Sequence, residues 1–339
     1  MDENNSEVSS NNEINNYDFN FTGTGKEYFK IWIINIGLTV LTLGIYSAWA
    51  TVRNRRYFYS NTILANDHFS YLATPLSILK GRIIAVSIFV IYSILISAYP
   101  VAGLIVLLLI LIGMPYFVLK SMAFQRRNTA YSTIRFNFKS SMKESTKIVL
   151  LWPLLCYVTL GLAVPQYRVR IGEFAVGNSS LGTTKMNFAA SYGDYAPAVF
   201  GSGFVLAIGY AVLLSSIGLP GLEAVLAVIG IAIILIGITL WQYMSVKILF
   251  SSMQIGNHKL KTNIEFKDYL KIAVPNYLLT IITLGLFYPF ARVRITRYIT
   301  SHVSLEVLGE LEEFIATETK NVSALGEELG DVMDFDVGI

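Results

Sequence analysis

Charges are spread so unevenly along this chain that whole stretches carry none. Residues 83–119, 195–222 and 224–246 are uncharged runs of 37, 28 and 23 residues, rich in Ile, Leu and Val. About 20 apolar residues in an α-helix cross a hydrocarbon core of about 30 Å, so each run is long enough to span a membrane. Tyr99-Pro100 divides the first run and residues 218–221 separate the other two, which predicts two helix pairs with tight turns. Three shorter uncharged runs, 31–52, 148–167 and 272–291, are each bracketed by basic residues: Lys30 and Arg53, Lys147 and Arg168, Lys271 and Arg292.

The shorter runs are related to one another. "TLGIYSAWATVRNRRY" (42–57), "TLGLAVPQYRVRIGEF" (159–174) and "TLGLFYPFARVRITRY" (283–298) align without gaps on Thr-Leu-Gly, a Val-Arg pair and a closing aromatic residue. The arginines common to all three are Arg53, Arg170 and Arg294, preceded by Val52, Val169 and Val293. A second motif, "NTILANDHF" (61–69), resembles "NTAYSTIRF" (128–136) and, more loosely, "NSSLGTTKMNF" (178–188) and "NHKLKTNIEF" (257–266). Each copy predicts two short strands around a turn. The chain then divides into a polar tail at 1–16 expected to be disordered, repeats at 17–139 and 140–268, a partial repeat at 269–304, and an acidic segment at 305–339. The first 16 residues lack the basic and then apolar stretches of a cleavable signal.

Two arrangements fit this pattern. If the Thr-Leu-Gly segments span, the fold is an all-α polytopic membrane protein with about seven transmembrane segments in two and a half internal repeats, carrying small cytoplasmic β-hairpins. If they dip in and return, four spans remain with three re-entrant segments, and every basic loop faces one side. Runs of 20 to 22 residues suit a single span better than a hairpin, so length favours seven.

Composition agrees with a membrane class: 54% of residues are hydrophobic and 14% charged, against about 25% charged in soluble domains. The net charge of +3 hides a partition, because residues 1–30 carry net −4 and residues 305–339 net −9, which leaves +16 between them. A basic body suits anionic lipid headgroups and, lacking a soluble basic domain, not nucleic acid. Leu305, Leu308, Leu311 and Ile315 recur at helical spacing among glutamates, predicting an amphipathic helix that docks on the protein's own basic face.

Chemistry is sparse. Cys156 is the only cysteine, and His68, His258 and His302 fall in polar loops as expected surface histidines, with no metal-ligand spacing. No nucleophile or nucleotide-binding signature appears, so no enzymatic activity, metal or cofactor is expected. Glu223 reads as a helix start, which leaves no acid at membrane depth for ion coupling. Trp32, Trp49, Tyr57, Tyr59 and Tyr298 read as interfacial anchors. The candidate contacts for an anionic lipid or ligand are Arg53, Arg170 and Arg294, since guanidinium pairs bidentately with phosphate and carboxylate; the plainer reading of these arginines is interfacial anchoring.

The run "FTGTGKEYFKIWIINIGLTVLTLGIYSAWATVRNRRYFYSNT" (21–62), the copies "TLGLAVPQYRVR" and "TLGLFYPFARVR", and "RFNF" (135–138) resemble the YjgN-type bacterial inner-membrane proteins over residues 17–304. The resemblance implies a multi-pass location in the bacterial cytoplasmic membrane and supplies no catalytic residues. Ala48 departs from the pattern, standing where the other copies have Pro165 and Pro289, and the acidic segment after 304 lies outside it. The function classes left are uncoupled passage of a small solute or lipid, and a non-transporting scaffold or anionic-lipid-binding protein.

Overall fold

The computed structural model describes residues 14–219 and 221–330, with side chains through 323. Its centre is a closed antiparallel barrel of ten strands, arranged in chain order around the ring. Five helical pairs are inserted between successive strands, all at one end of the barrel.

The first unit is β1 (Ile14–Phe21), α1 (Gly25–Leu41), α2 (Ser47–Ser60) and β2 (Thr62–Leu64); the second is β3 (Asp67–Tyr71), α3 (Pro75–Ala98), α4 (Pro100–Arg127) and β4 (Thr129–Tyr131). In the third, β5 (Ile134–Phe138) leads into α5 (Met142–Thr146), a π turn (Lys147–Leu151) and α6 (Trp152–Val158). The chain returns through α7 (Val164–Gly172) and a second π turn (Glu173–Gly177) to β6 (Ser179–Leu181). The fourth runs from β7 (Thr184–Phe188) through α8 (Tyr192–Ala196), a π turn and α9 (Ser202–Ser215), then back along α10 (Glu223–Ser251) to β8 (Met253–Ile255). The fifth is β9 (His258–Thr262), α11 (Phe266–Ile282), α12 (Tyr288–Thr300) and β10 (Val303–Leu308), and α13 (Leu311–Gly330) follows.

Junctions between barrel and helices repeat one design. Thr24, Thr74, Ser141 and Ser191 sit three residues after the last strand residue and accept the backbone N–H of the third helical residue, a cap that offsets an orphan donor. On return, the carbonyls of Asn61, Asn128, Asn178 and Ser252 accept the N–H of the residue that follows the neighbouring outgoing strand, at 2.8 to 3.0 Å.

The all-α, seven-span expectation fails on two counts. First, the hairpins are not separate. Short two-stranded hairpins are marginal alone and leave unpaired edges, and closure into one barrel removes them. β1 pairs with β2 on one side and β10 on the other, from Phe21 opposite Thr62 to Ile14 opposite Leu308. Second, each Thr-Leu-Gly segment turns back on itself. Leu43, Leu160 and Leu284 have φ of 50°, 50° and 48°, and Gly44, Gly161 and Gly285 have 93°, 91° and 92°. Thr42, Thr159 and Thr283 each donate to the carbonyl four residues back and accept the N–H four residues ahead, at 2.6 to 3.1 Å. Glycine takes its positive φ freely, so it is the residue that makes the turn possible. Ala48 leaves the turn unchanged, because its counterparts Pro165 and Pro289 lie inside the start of the returning helix, where proline and alanine both fit. Four helices among the described residues are long and apolar enough to cross a membrane: Pro75–Ala98, Pro100–Arg127, Tyr192–Gly218 and Glu223–Ser251.

Two boundaries also move. Residues 303–308 form β10, not the start of the amphipathic helix, because Val303, Leu305 and Val307 alternate into the barrel. The fourth hairpin begins at Met253, so "NHKLKTNIEF" supplies only its turn and second strand. Of the tail expected over 1–16, Ile14–Asn16 belongs to β1; residues 1–13 and 331–339 lie outside the described residues.

The barrel interior is packed, not hollow. Leu64, Tyr131, Ile134, Leu181, Leu260 and Leu305 form one buried cluster that also takes in Leu311 of α13. α13 lies against the turn end. Glu318, 4% exposed, accepts four bonds of 2.7 to 3.3 Å from the backbone and hydroxyl groups of Thr183 and Thr184. Burial alone would raise this carboxyl, but those bonds outweigh it and hold it below the usual carboxylate range. His258 is buried here and not a surface residue; its Nδ1 accepts the Leu308 N–H at 3.2 Å, its ring meets Phe314 edge-on, and burial lowers its pKa.

Candidate functional site

The returning helices of the three short pairs, α2, α7 and α12, carry the arginines. Val52, Val169 and Val293 point into the protein, which turns the following Arg53, Arg170 and Arg294 outward. Each sits on a different pair, and no hydrogen bond or ion pair joins any two of them among the described residues. Arg170 pairs with Glu173 at 2.7 Å, and Arg294 donates to Asn276 Oδ1 at 3.3 Å.

Two residues earlier the picture changes. Arg292 lies between the fifth and first pairs, donating to Tyr28 Oη at 3.1 Å with its guanidinium 4.3 Å from the Phe58 ring centre. Its counterpart Arg168 stacks near Trp241 and Tyr195, at 5.3 and 5.7 Å, and has a buried Nε without a partner among the described residues. The first pair has Thr51 at that position, and Arg82 of α3 reaches across to it at 2.8 Å and to Ser47. The junctions of the first pair with the second, the third with the fourth and the fifth with the first therefore each hold one guanidinium on aromatic or hydroxyl groups. A comparison that kept only residues common to all three copies passes over these, although Arg168 and Arg292 do align with each other.

Other basic side chains brace the junctions. Arg56 donates to the carbonyls of Tyr71 and Ala73 at 3.3 and 3.2 Å, and Arg297, at the corresponding place in α12, to that of Gly23 at 2.7 Å. Of the aromatics assigned to the interface, Tyr298 is buried and Tyr57 stacks on Tyr28 while donating to the Thr24 carbonyl.

Beside Arg292, α10, α11 and α12 enclose a cleft of 360 Å³. Gln242, Asn276, Arg292 and Thr296 line its part nearer the barrel, and Leu235 and Ile281 its part nearer the helix turns. Asn276 is 1% exposed, and Gln242 Oε1 accepts from Tyr269 at 3.5 Å and from Tyr277. Among the described residues, no three His, Cys, Asp or Glu side chains are grouped as a metal site.

A family model described as "Bacterial protein of unknown function (DUF898)" matches residues 16–332. The chain belongs to this family. The match runs past residue 304, so β10 and α13 fall within the family region and not beyond it. "Inner membrane protein YjgN" of Salmonella typhimurium is 31% identical over 171 residues, covering 50% of this chain and 43% of that protein. The Escherichia coli K12 protein of the same name is 31% identical over 150 residues, 44% of this chain and 38% of its own length. The matched stretches thus span less than half of either relative. No solved structure matches the chain. Together with the four apolar helices, these relatives place the DUF898 protein in the bacterial inner membrane.

Proposed function

We propose that this DUF898 protein is a multi-pass inner-membrane protein that binds anionic lipid and does not conduct solute. Four helices cross the bilayer, the three Thr-Leu-Gly pairs enter from the barrel side and turn within it, and the barrel stays on the cytoplasmic face. The tips support the partial insertion: Leu43, Leu160 and Leu284 are 95%, 94% and 94% exposed, which favours lipid around them. With 17 and 14 residues, α1 and α2 reach about 26 and 21 Å, short of a full core.

The observation that carries the reading is the filled barrel. Leu64, Tyr131, Ile134, Leu181 and Leu305 occupy its interior and α13 lies over its turn end, so the described residues leave no aqueous path along the ring axis. Basic residues meanwhile outnumber acidic ones by 16 between residues 31 and 304, and each one near an anionic surface contributes about 1 kcal/mol. Lipid analysis of the purified protein from mixed vesicles tests this. Phosphatidylglycerol should be retained several-fold over phosphatidylcholine, and the triple variant Arg53→Gln, Arg170→Gln, Arg294→Gln should lower that ratio without loss of folding. Equal retention of both lipids, or solute leakage from vesicles holding the protein, refutes it.

A further inference from the structure

We infer that the cleft between α10, α11 and α12 is a binding site for one anionic phospholipid of the leaflet nearest the barrel, seated with its phosphate on Arg292. This inference rests on the lipid-binding reading above and adds a place and a specificity to it.

The polarity gradient fixes the orientation of the occupant. α10 runs towards the barrel, so Gln242 lies about 10 Å nearer to it than Leu235. α11 runs away from the barrel, which puts Asn276 nearer than Ile281 by about 7 Å, and α12 runs back, which puts Thr296 nearer than Tyr288 by about 12 Å. On α10 and α11 an amide thus lies nearer the barrel than an aliphatic side chain, and on α12 the Arg292 guanidinium and Thr296 hydroxyl lie on the barrel side of Tyr288, with Thr280 beside Ile281 and Ile295 beside Thr296. A lipid of the near leaflet has the same order, headgroup first and acyl chain beyond.

Charge decides the headgroup. Arg292 is the single charged residue lining the cleft among the described residues. Tyr28 takes one of its N–H groups and Phe58 supports its plane, leaving the rest of the fork for a phosphate without reorganisation. Since no carboxylate lines the cleft among the described residues, an ethanolamine or choline cation entering beside the phosphate finds no ion-pair partner there. The cleft therefore selects net-anionic lipid over zwitterionic lipid.

The place in the ring is also distinctive. Short and long pairs alternate, but five is odd, so the fifth and first pairs are two short ones side by side, in contact through α12 and α1. The cleft lies on the other side of the fifth pair, between its two helices and α10 of the long fourth pair, while the Arg292 side chain that lines it reaches back to this seam.

Photolabelling of the full-length protein in nanodiscs tests the inference, using phosphatidylglycerol and phosphatidylethanolamine analogues that carry a diazirine in the acyl chain. Phosphatidylglycerol adducts should concentrate on the peptides around Leu235 and Ile281. Arg292→Gln should reduce them about tenfold, the loss of a charge-assisted bond, with Arg292→Lys intermediate and Leu235→Trp, which fills the tail half, also reducing them. Circular dichroism and total phosphatidylglycerol retention should stay as in the parent, because the outward arginines remain. Equal labelling by both lipids, or labelling unchanged in Arg292→Gln and Leu235→Trp, overturns the cleft while preserved overall retention leaves the broader reading standing. Loss of labelling in the presence of millimolar glycerol 1-phosphate overturns it in favour of a soluble phosphate site.

Discussion

The long and short helical pairs hold together in different ways. In the long pairs, glycines let backbones meet: a Cβ on Gly103 would sit 2.4 Å from Ile96 Cα, and one on Gly230 would sit 2.8 Å from the Leu213 nitrogen. In the short pairs, the glycines of the turns touch nothing within 4 Å, and cohesion comes from the turn and from polar pairs such as Asn35 with Asn54 at 3.0 Å and Arg294 with Asn276 at 3.3 Å. The difference is what lipid predicts. A helix surrounded by hydrocarbon gains little from hydrophobic burial and must rely on close packing, whereas a pair rooted at the barrel can use polar bonds between its helices.

The sharpest way to break this contrast is to fill a glycine. Gly230→Leu should destabilise the protein by about 3 kcal/mol through overpacking against α9, whereas Gly37→Leu in α1, with nothing within 4 Å, should be near neutral. Detergent-titration unfolding measures both, and equal effects would erase the distinction.

A smaller effect tests the turns. Gly285→Val forces a β-branched residue to a φ of 92° and should cost about 1–2 kcal/mol, with Gly44→Val and Gly161→Val matching it. A spread among the three wider than that cost would mean the turns are held by their surroundings, not by their own backbone.

The smallest effect lies at the opposite end of the barrel. Because the folded Glu318 carboxyl titrates below its ordinary value of 4.5, its contribution is complete above that pH and lost as pH falls through the folded value. His258 acts earlier in an acid titration: its lowered folded pKa withdraws stability as pH drops below 6.5. A spin label at Ser323→Cys should report α13 loosening in these two stages, and Glu318→Gln should remove the lower one at a cost of about 1 kcal/mol. Mobility independent of pH would separate α13 docking from these groups.

Much of the plan could be read along the chain, and the misreadings are instructive. β1 shows Tyr17, Phe19 and Phe21 at period two, a strand signal hidden by Asp18 and Asn20 between them. Leu305 fits both a helical stripe with Leu308 and a strand alternation with Val303 and Val307, and the partner strands β1 and β9 decided for the strand. The outward arginines were visible as shared letters, whereas Arg292 and Arg82 acquire meaning only from Tyr28, Phe58 and Thr51, which lie far away in sequence.

By itself, then, the sequence determined the uncharged runs, the glycine at each turn and the register of the arginines behind it. These are local matters, since hydropathy, a positive φ and a side-chain cap are settled within a few neighbouring residues. Only the tertiary structure decided that the hairpins close into one filled barrel, that the shorter runs turn back, and that a polar cleft opens between the fourth and fifth pairs. Strands of three to eight residues take their partners from the whole ring, and a cleft exists only where separately encoded helices stop short of filling the space between them.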